Sequence, residues 1–329
     1  MSATKYNDPL DFVDVEALQK LMQQDSSDQA IDVPGFTAYL RASVIGQDRV
    51  CEDVPRQINR RMALEKRTKP VGVFLFAGPP GTGKTYLAKK MADFLKRTLL
   101  HFDMTNFMQA HTASMLFGSP QGYVGGPGKL TSDLDATPNA LVLLDEIEKA
   151  DPDILKRFLT AWNDGFVTDV RTGKQISTTK AIFILTSNAA TDQLDELSER
   201  YAEDPDNLRQ SAVKALQEAK FAPEVLSRID RIFIFKRLTG LNIAKVVTLE
   251  IVALVDSLGF SVAKGGISPE IVHDIMKRQD KLGATASSRD LARFIEENIM
   301  DDLIAAKGAE HKQIRLVKQG DAIRVELVP

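Results

Sequence analysis

Three short stretches carry residue types at spacings suited to chemistry on a phosphorylated ligand. The first is Gly78-Pro79-Pro80-Gly81-Thr82-Gly83-Lys84-Thr85. Gly81 and Gly83 let the backbone bend until several N–H groups point at one anion. Lys84 can then reach the outer phosphates, and the Thr85 hydroxyl can ligate Mg²⁺. The second stretch is Asp145-Glu146, at the end of the apolar run Ala140-Leu141-Val142-Leu143-Leu144. Asp145 suits the Mg²⁺ shell, and Glu146 suits activation or positioning of a water that attacks the γ-phosphate. The third is Asn188, which closes Lys180-Ala181-Ile182-Phe183-Ile184-Leu185-Thr186-Ser187. Its amide can hydrogen-bond that water or the γ-phosphate, or can simply cap or turn the chain.

Each stretch needs an element to place it. Val71-Gly72-Val73-Phe74-Leu75-Phe76-Ala77 reads as a buried strand and Tyr86 to Arg97 as a helix, so the octapeptide sits in the strand–loop–helix context of a phosphate-binding P-loop. Thr98 to Asp103, Ala140 to Glu146, Lys180 to Asn188 and Ile232 to Phe235 read as further strands. In parallel α/β sheets the carboxyl ends of the strands are where ligands sit. Arg228 stands just before the last of these strands, near a sheet edge, where an arginine can reach a phosphate of its own subunit or of a neighbour. Glu148 and Lys149 are expected on the solvated start of the next helix. Val44-Ile45, about thirty residues ahead of the P-loop, suggests an apolar seat for an adenine ring.

Phe117 to Gly128 has a different character. Five glycines between Gly118 and Gly128 surround Tyr123, so a loop is expected and the tyrosine becomes a candidate gripping contact, with Val124 beside it. Val167 to Lys174 reads as a second short loop or hairpin. Residues 190–220 read as helical, with an acidic break at Glu203-Asp204-Pro205-Asp206. Helices are expected over Leu241 to Leu258, Pro269 to Lys281 and Ser288 to Ala306, followed by strands at Gln313 to Val317 and Ala322 to Val328 joined by a turn at Gly320-Asp321. Asp14 to Gln24 suggests an amphipathic helix that docks on the body or on a partner, and Pro34-Gly35 suggests a turn.

The 329 residues suffice for two domains. With 42 basic and 45 acidic side chains the net charge is −3, which offers no basic footprint for nucleic acid. One cysteine, Cys51, excludes an internal disulfide and a cysteine-rich metal site. Met1 to Tyr6 lacks a signal pattern and no apolar run approaches membrane-spanning length, so a soluble cytoplasmic protein without membrane contact is expected.

Taken in order, Val44-Ile45-Gly46-Gln47-Asp48, the P-loop at 78–85, Gly122-Tyr123-Val124-Gly125, Leu143 to Ala150, Thr186-Ser187-Asn188 and Pro223 to Asp230 form a set that resembles AAA+ ATPases of the Clp type, in particular the second ATPase module of ClpB/ClpA-like unfoldases. The resemblance covers roughly residues 41–328. It implies an α/β fold: a P-loop parallel sheet sandwiched by helices, with a smaller C-terminal α+β domain. The expected divisions are a 1–40 extension with a possible docking helix, a 41–236 ATPase domain and a 237–329 small domain.

The resemblance also implies roles. Val44, Ile45, Gly78, Pro79, Pro80, Gly81, Thr82, Gly83, Lys84, Thr85 and Tyr86 contact ATP, with Thr85 and Asp145 on Mg²⁺. Glu146 acts as the catalytic carboxylate, Asn188 as sensor 1, and Arg228 as an arginine finger on the neighbouring subunit's ATP. Arg289 fits sensor 2, because Arg289-Asp290-Leu291-Ala292-Arg293-Phe294-Ile295 matches the family's R-x-L-x-R-x-I run. Tyr123 and Val124 form the pore loop of a hexameric ring. There are departures. Ser287-Ser288 replaces the usual Gly-Ala before the sensor 2 arginine, and Gly283-Ala284 lies upstream before Thr285. The loop after Tyr123 is shorter than the family's and lacks its Tyr-Glu-Glu stretch. These 329 residues hold one ATPase module, without a coiled-coil middle domain. Between Asn188 and Phe221 there is no apolar-Gly-apolar tripeptide of the kind that docks the ClpP peptidase; Leu258-Gly259-Phe260 has that composition but falls in the small domain. No peptidase partner is expected. The implied activity is an ATP-driven protein-remodelling motor that grips polypeptide through Tyr123. The alternative is a non-threading assembly or regulatory switch acting on a partner complex.

Overall fold

A computed structural model describes residues 31–64, 66–123, 125–282, 288–306, 312–320 and 322–328, together with Asp14; the side chains at 205 and 278–292 are outside that description. The helix expected over Asp14 to Gln24 therefore lies outside the described residues apart from Asp14. So do Val124, the 283–287 stretch ahead of sensor 2, and Asp321.

The strands that carry the candidate residues are β1 (Gly72–Ala77), β2 (Leu99–Asp103), β3 (Leu141–Asp145), the short hairpin pair β4 (Phe166–Thr168) and β5 (Gln175–Ser177), then β6 (Ile182–Ser187) and β7 (Arg231–Ile234). All but the hairpin form one sheet in the order β2-β3-β6-β1-β7, and every neighbour pair is parallel. Continuous apolar runs suit such strands because helices cover both faces. Successive side chains serve opposite cores. Val73, Leu75, Val142, Leu144, Phe183 and Leu185 enter one cluster, whereas Phe74, Phe76, Leu141, Leu143, Ile182 and Ile184 enter the other.

Helices α1 (Val33–Ser43), α2 (Asp48–Met62) and α3 (Lys84–Phe94) cover the second face. Pro34-Gly35 is not a free turn: Asp32 caps α1 by accepting the Gly35 N–H at 3.0 Å, and Pro34 occupies the first turn, where its missing N–H costs nothing. Phe36 of α1 is buried and stacks on Phe94 with ring centroids 4.5 Å apart. From Val33 onward the N-terminal extension thus contributes to the core of the ATPase region. The other face is covered by α4 (Ala113–Phe117), α5 (Lys129–Ala136), α6 (Pro152–Asn163), α7 (Thr191–Arg200), α8 (Pro205–Glu218) and α9 (Pro223–Leu226).

Beyond residue 236 a third core forms from α10 (Leu241–Ser257), β8 (Ser261–Ile267), α11 (Pro269–Leu282), α12 (Ser288–Ala305), β9 (Gln313–Gln319) and β10 (Ala322–Val328). The last two strands pair antiparallel, and β8 adds to β9 in parallel. Phe260 is buried in this core, which gives Leu258-Gly259-Phe260 a packing role. Among the described residues no helix is long and apolar enough to cross a membrane.

Candidate active site

Parallel register brings the carboxyl ends of β1, β3 and β6 to one edge, with the P-loop, Asp145-Glu146 and Asn188 following them. Gly78 opens the loop at φ +144°. A β-carbon there would stand 2.3 Å from the Phe235 carbonyl, so only glycine lets β1 pass the chain leaving β7. Gly83 adopts the left-handed region (φ 92°) at the start of α3, and no side chain caps that helix. Its first N–H groups are therefore available to an anion. Lys84 is buried and folds back across the loop, donating to the carbonyls of Gly78 (2.7 Å) and Pro79 (2.6 Å). Thr82 donates to the Pro79 carbonyl at 2.8 Å. Burial pulls the Lys84 ammonium down to about 8, against the opposing charges of Glu148, Asp145 and Glu146. A phosphate would satisfy this desolvated cation, so the loop fits the β/γ end of a nucleotide.

Thr85 donates to Asp145, its oxygen 3.1 Å from each carboxylate oxygen. One hydroxyl and one carboxylate facing each other, with phosphate oxygens and water for the rest, is the donor set Mg²⁺ prefers in such sites. Burial pushes the Asp145 carboxyl up, but hydrogen bonds from His101, Thr186 and Thr85 outweigh it and hold the group below its ordinary value. His101, on β2, stands 3.2 Å from Asp145 Oδ2.

Glu146 follows with a left-handed backbone (φ 55°, ψ 52°). For a non-glycine residue that conformation costs on the order of 1–3 kcal/mol and must be held by its surroundings. The Glu146 N–H donates to Thr186 Oγ1 at 3.0 Å, and its carbonyl accepts the Lys149 N–H at 2.9 Å. Burial, then the charges of Glu148 and Asp145, raise its carboxyl above the ordinary range, in the direction that strengthens a base. Asn188 brings its amide nitrogen 3.5 Å from Glu146 Oε1, a long contact, while its Oδ1 is buried without a partner.

Glu148 departs from expectation. It does not face solvent at a helix start; it is half-buried, and its Oε1 accepts the backbone N–H of Asn188 at 3.1 Å. An acid-rich turn gives no sign in one dimension that its third carboxylate folds inward, because the partner lies 40 residues away. The only sequence signal for Thr186 was its place next to Ser187-Asn188. Gln47 was equally inconspicuous. Buried, it donates to the carbonyls of Thr82 (3.3 Å) and Lys236 (2.9 Å) and accepts the Lys236 N–H at 3.1 Å. It joins the P-loop to the chain that leads into the third core.

Val44 is buried, its Cγ1 3.4 Å from where a Gly83 β-carbon would stand, and Ile45 is half-buried. The apolar pair therefore borders the loop. Pro79 is buried; Pro80, Gly81 and Tyr86 are exposed, with Lys90 set 5.3 Å over the Tyr86 ring.

Other candidates stand elsewhere. Arg228 is exposed and precedes β7, whose register opposes Arg231 to Phe74, while the Asp230 N–H donates to the Val73 carbonyl. Arg228 is thus at the amino edge of the sheet. At about 3.3 Å per residue along β1, it is set back several residues from the P-loop that follows Ala77. Tyr123 is 73% exposed on the β2–β3 connection and takes no part in these hydrogen bonds. Its loop is tied at the base: Asp169 accepts from Gly128 N–H (3.2 Å) and Thr131 Oγ1 (2.7 Å), and Arg171 donates to the Gly125 carbonyl (2.7 Å). Arg289 lies on α12, and its side chain is outside the described residues.

The family model for "AAA domain (Cdc48 subfamily)" matches residues 69–232. The chain is 36% identical over 284 residues to the ATP-dependent Clp protease ATP-binding subunit ClpE of Lactococcus lactis, covering 84% of this chain and 37% of the relative. It is 32% identical over 331 residues to ClpE of Bacillus subtilis, covering 95% and 46%. It is 34% identical over 294 residues to the chaperone protein ClpB of Helicobacter hepaticus, covering 87% and 32%. The chain thus spans less than half the length of each of these relatives.

Proposed function

The chain belongs to the Clp-type AAA+ ATPases, and on that premise we propose that it is an ATP-driven motor that remodels polypeptides as a hexameric ring in the cytoplasm. The observation that carries the reading is the meeting of Thr85, Asp145, Glu146 and Asn188 at the sheet edge where the P-loop ends β1. Lys84 and the glycine loop bind the phosphates of ATP. Thr85 and Asp145 hold Mg²⁺, which when bound neutralises charge on the phosphate oxygens. Glu146 takes a proton from, or orients, the attacking water, and Asn188 fixes it. Arg228, on the far edge of the sheet, serves the ATP of the next subunit, where a finger is worth about 10³–10⁵ in rate. Arg289 joins as sensor 2. Tyr123 and Val124 grip an extended polypeptide. No nucleic acid and no ClpP-type peptidase enter the proposal.

The test is ATP hydrolysis as a function of protein concentration, with mass followed by light scattering. Activity per subunit is expected to rise steeply with concentration and the mass with ATP to approach six subunits. Glu146→Gln and Arg228→Ala are each expected to lose activity while binding ATP. Activity linear in concentration and indifferent to Arg228 would sink the ring.

One sequence feature favours the runner-up, a non-threading switch acting on a partner complex: the shortened loop after Tyr123. Tyr123→Ala separates the two. Threading requires that remodelling collapses while ATPase activity persists; a switch leaves remodelling unchanged.

A further inference from the structure

Glu148 has no part in the reaction just described, yet it is built into the same edge. Its Oε1 accepts the Asn188 N–H at 3.1 Å, and its Oε2 is buried without a donor. The adjoining Asn188 Oδ1 is likewise buried and unpartnered. An orphaned buried acceptor is costly and calls for an explanation. The bond it makes is one half of a reciprocal strap. Across the ends of β3 and β6, the Glu146 N–H donates to Thr186 Oγ1, and the Asn188 N–H donates back to Glu148. The two backbone segments that carry the base and the sensor are thereby locked in register beyond the last strand pairing, which ends at Leu144 and Leu185. The left-handed turn at Glu146 is what swings Glu148 round to reach Asn188.

We propose that Glu148 is a positioning residue for ATP hydrolysis: through its hydrogen bond to the Asn188 backbone it holds the Asn188 amide and the Glu146 carboxylate at the spacing that places the attacking water. The proposal rests on the ATPase reading above. The role is mechanical: Glu148 acts through the Asn188 backbone and not on the reacting atoms.

Three variants of the full chain separate this role from a general loss of structure. Glu148→Gln keeps an acceptor oxygen of the same reach. Glu148→Asp keeps the charge but withdraws it by one methylene. Glu148→Ala removes both. A misplacement near 1 Å can cost about 10²-fold in rate, so kcat for Ala and Asp is expected to fall about 10–100-fold. Binding of a fluorescent ATP analogue with Mg²⁺ should stay within about threefold, and Gln should return kcat to within about threefold of the wild type. Wild-type kcat in Glu148→Asp, or Glu148→Gln as slow as Glu148→Asp, overturns the proposal; that comparison stands even where the Ala variant fails to fold. Wild-type protein that is inert with Mg-ATP at ring-forming concentrations brings down the ATPase reading itself, and the proposal with it.

Discussion

Thr186 donates its hydroxyl hydrogen to Asp145 and accepts the Glu146 N–H. One side chain therefore links the Asp145 carboxylate to the backbone of Glu146. Thr186→Val keeps the shape and deletes both bonds. It should cost about 1–3 kcal/mol in stability, the usual penalty for stranding a buried donor. It should lower kcat by about 10–100-fold with little change in nucleotide affinity, since the P-loop is untouched. Thermal melts and steady-state ATPase assays check the two halves. At this scale the sequence was informative only where a motif put polar residues at a strand end. Lys84, Thr85, Asp145, Glu146 and Asn188 were legible because each is next to a run whose apolar pattern reveals a strand. Glu148, His101 and Gln47 were not, because each acts through a partner distant in sequence.

Among elements, the short hairpin of β4 and β5 proves to be the support of the Tyr123 loop. Asp169, buried at its turn, accepts from the N–H groups of Gly128, Arg171 and Thr172 and from the hydroxyls of Thr131 and Thr172. Burial pushes its carboxyl up, but those hydrogen bonds prevail and bring it from 3.8 down to about 2. A carboxyl depressed on folding contributes stability above its unfolded value and loses it as pH falls through the folded one. A shift of that size is worth about 2.5 kcal/mol at neutral pH. Asp169→Asn should therefore be less stable by about that amount at pH 6, and the gap should close as pH falls from about 4 toward 2. Denaturant melts of both proteins across that range decide it; a gap independent of pH would refute the ionised tether. The sequence identified a loop or hairpin at 167–174 and a glycine-rich loop at 117–128, but not that one anchors the other. Helix boundaries were legible to within two or three residues, as in α3 and α10, because the apolar period is local. Pro34-Gly35 misled because a turn and the first turn of a capped helix share the same residues.

On the scale of the whole molecule, the parallel sheet separates what the site needs. The P-loop, Asp145 and Asn188 share its carboxyl edge, and Arg228 lies at its amino edge. If Arg228 serves the neighbouring subunit's ATP, as proposed, a sharp expectation follows for mixed rings. Glu146→Gln subunits still offer Arg228, and Arg228→Ala subunits still offer Glu146. Mixing the two inactive variants in equal amounts should restore about a quarter of wild-type activity, the share of interfaces that pair an intact base with an intact finger in a random closed ring. A mixture that stays inactive, with mixed rings demonstrated by mass, would exclude a finger acting between subunits.

The sequence by itself determined the fold class, the ATPase chemistry and the strand-end residues that the fold brings to one edge. Those properties are written in local patterns: apolar runs of strand length, glycines where the chain must bend round an anion, and acids placed where a strand ends. Only the tertiary structure decided that Arg228 stands at the amino edge of the sheet and that Glu148 turns inward. Strand order and register are set by packing between segments tens of residues apart, and no local pattern records them.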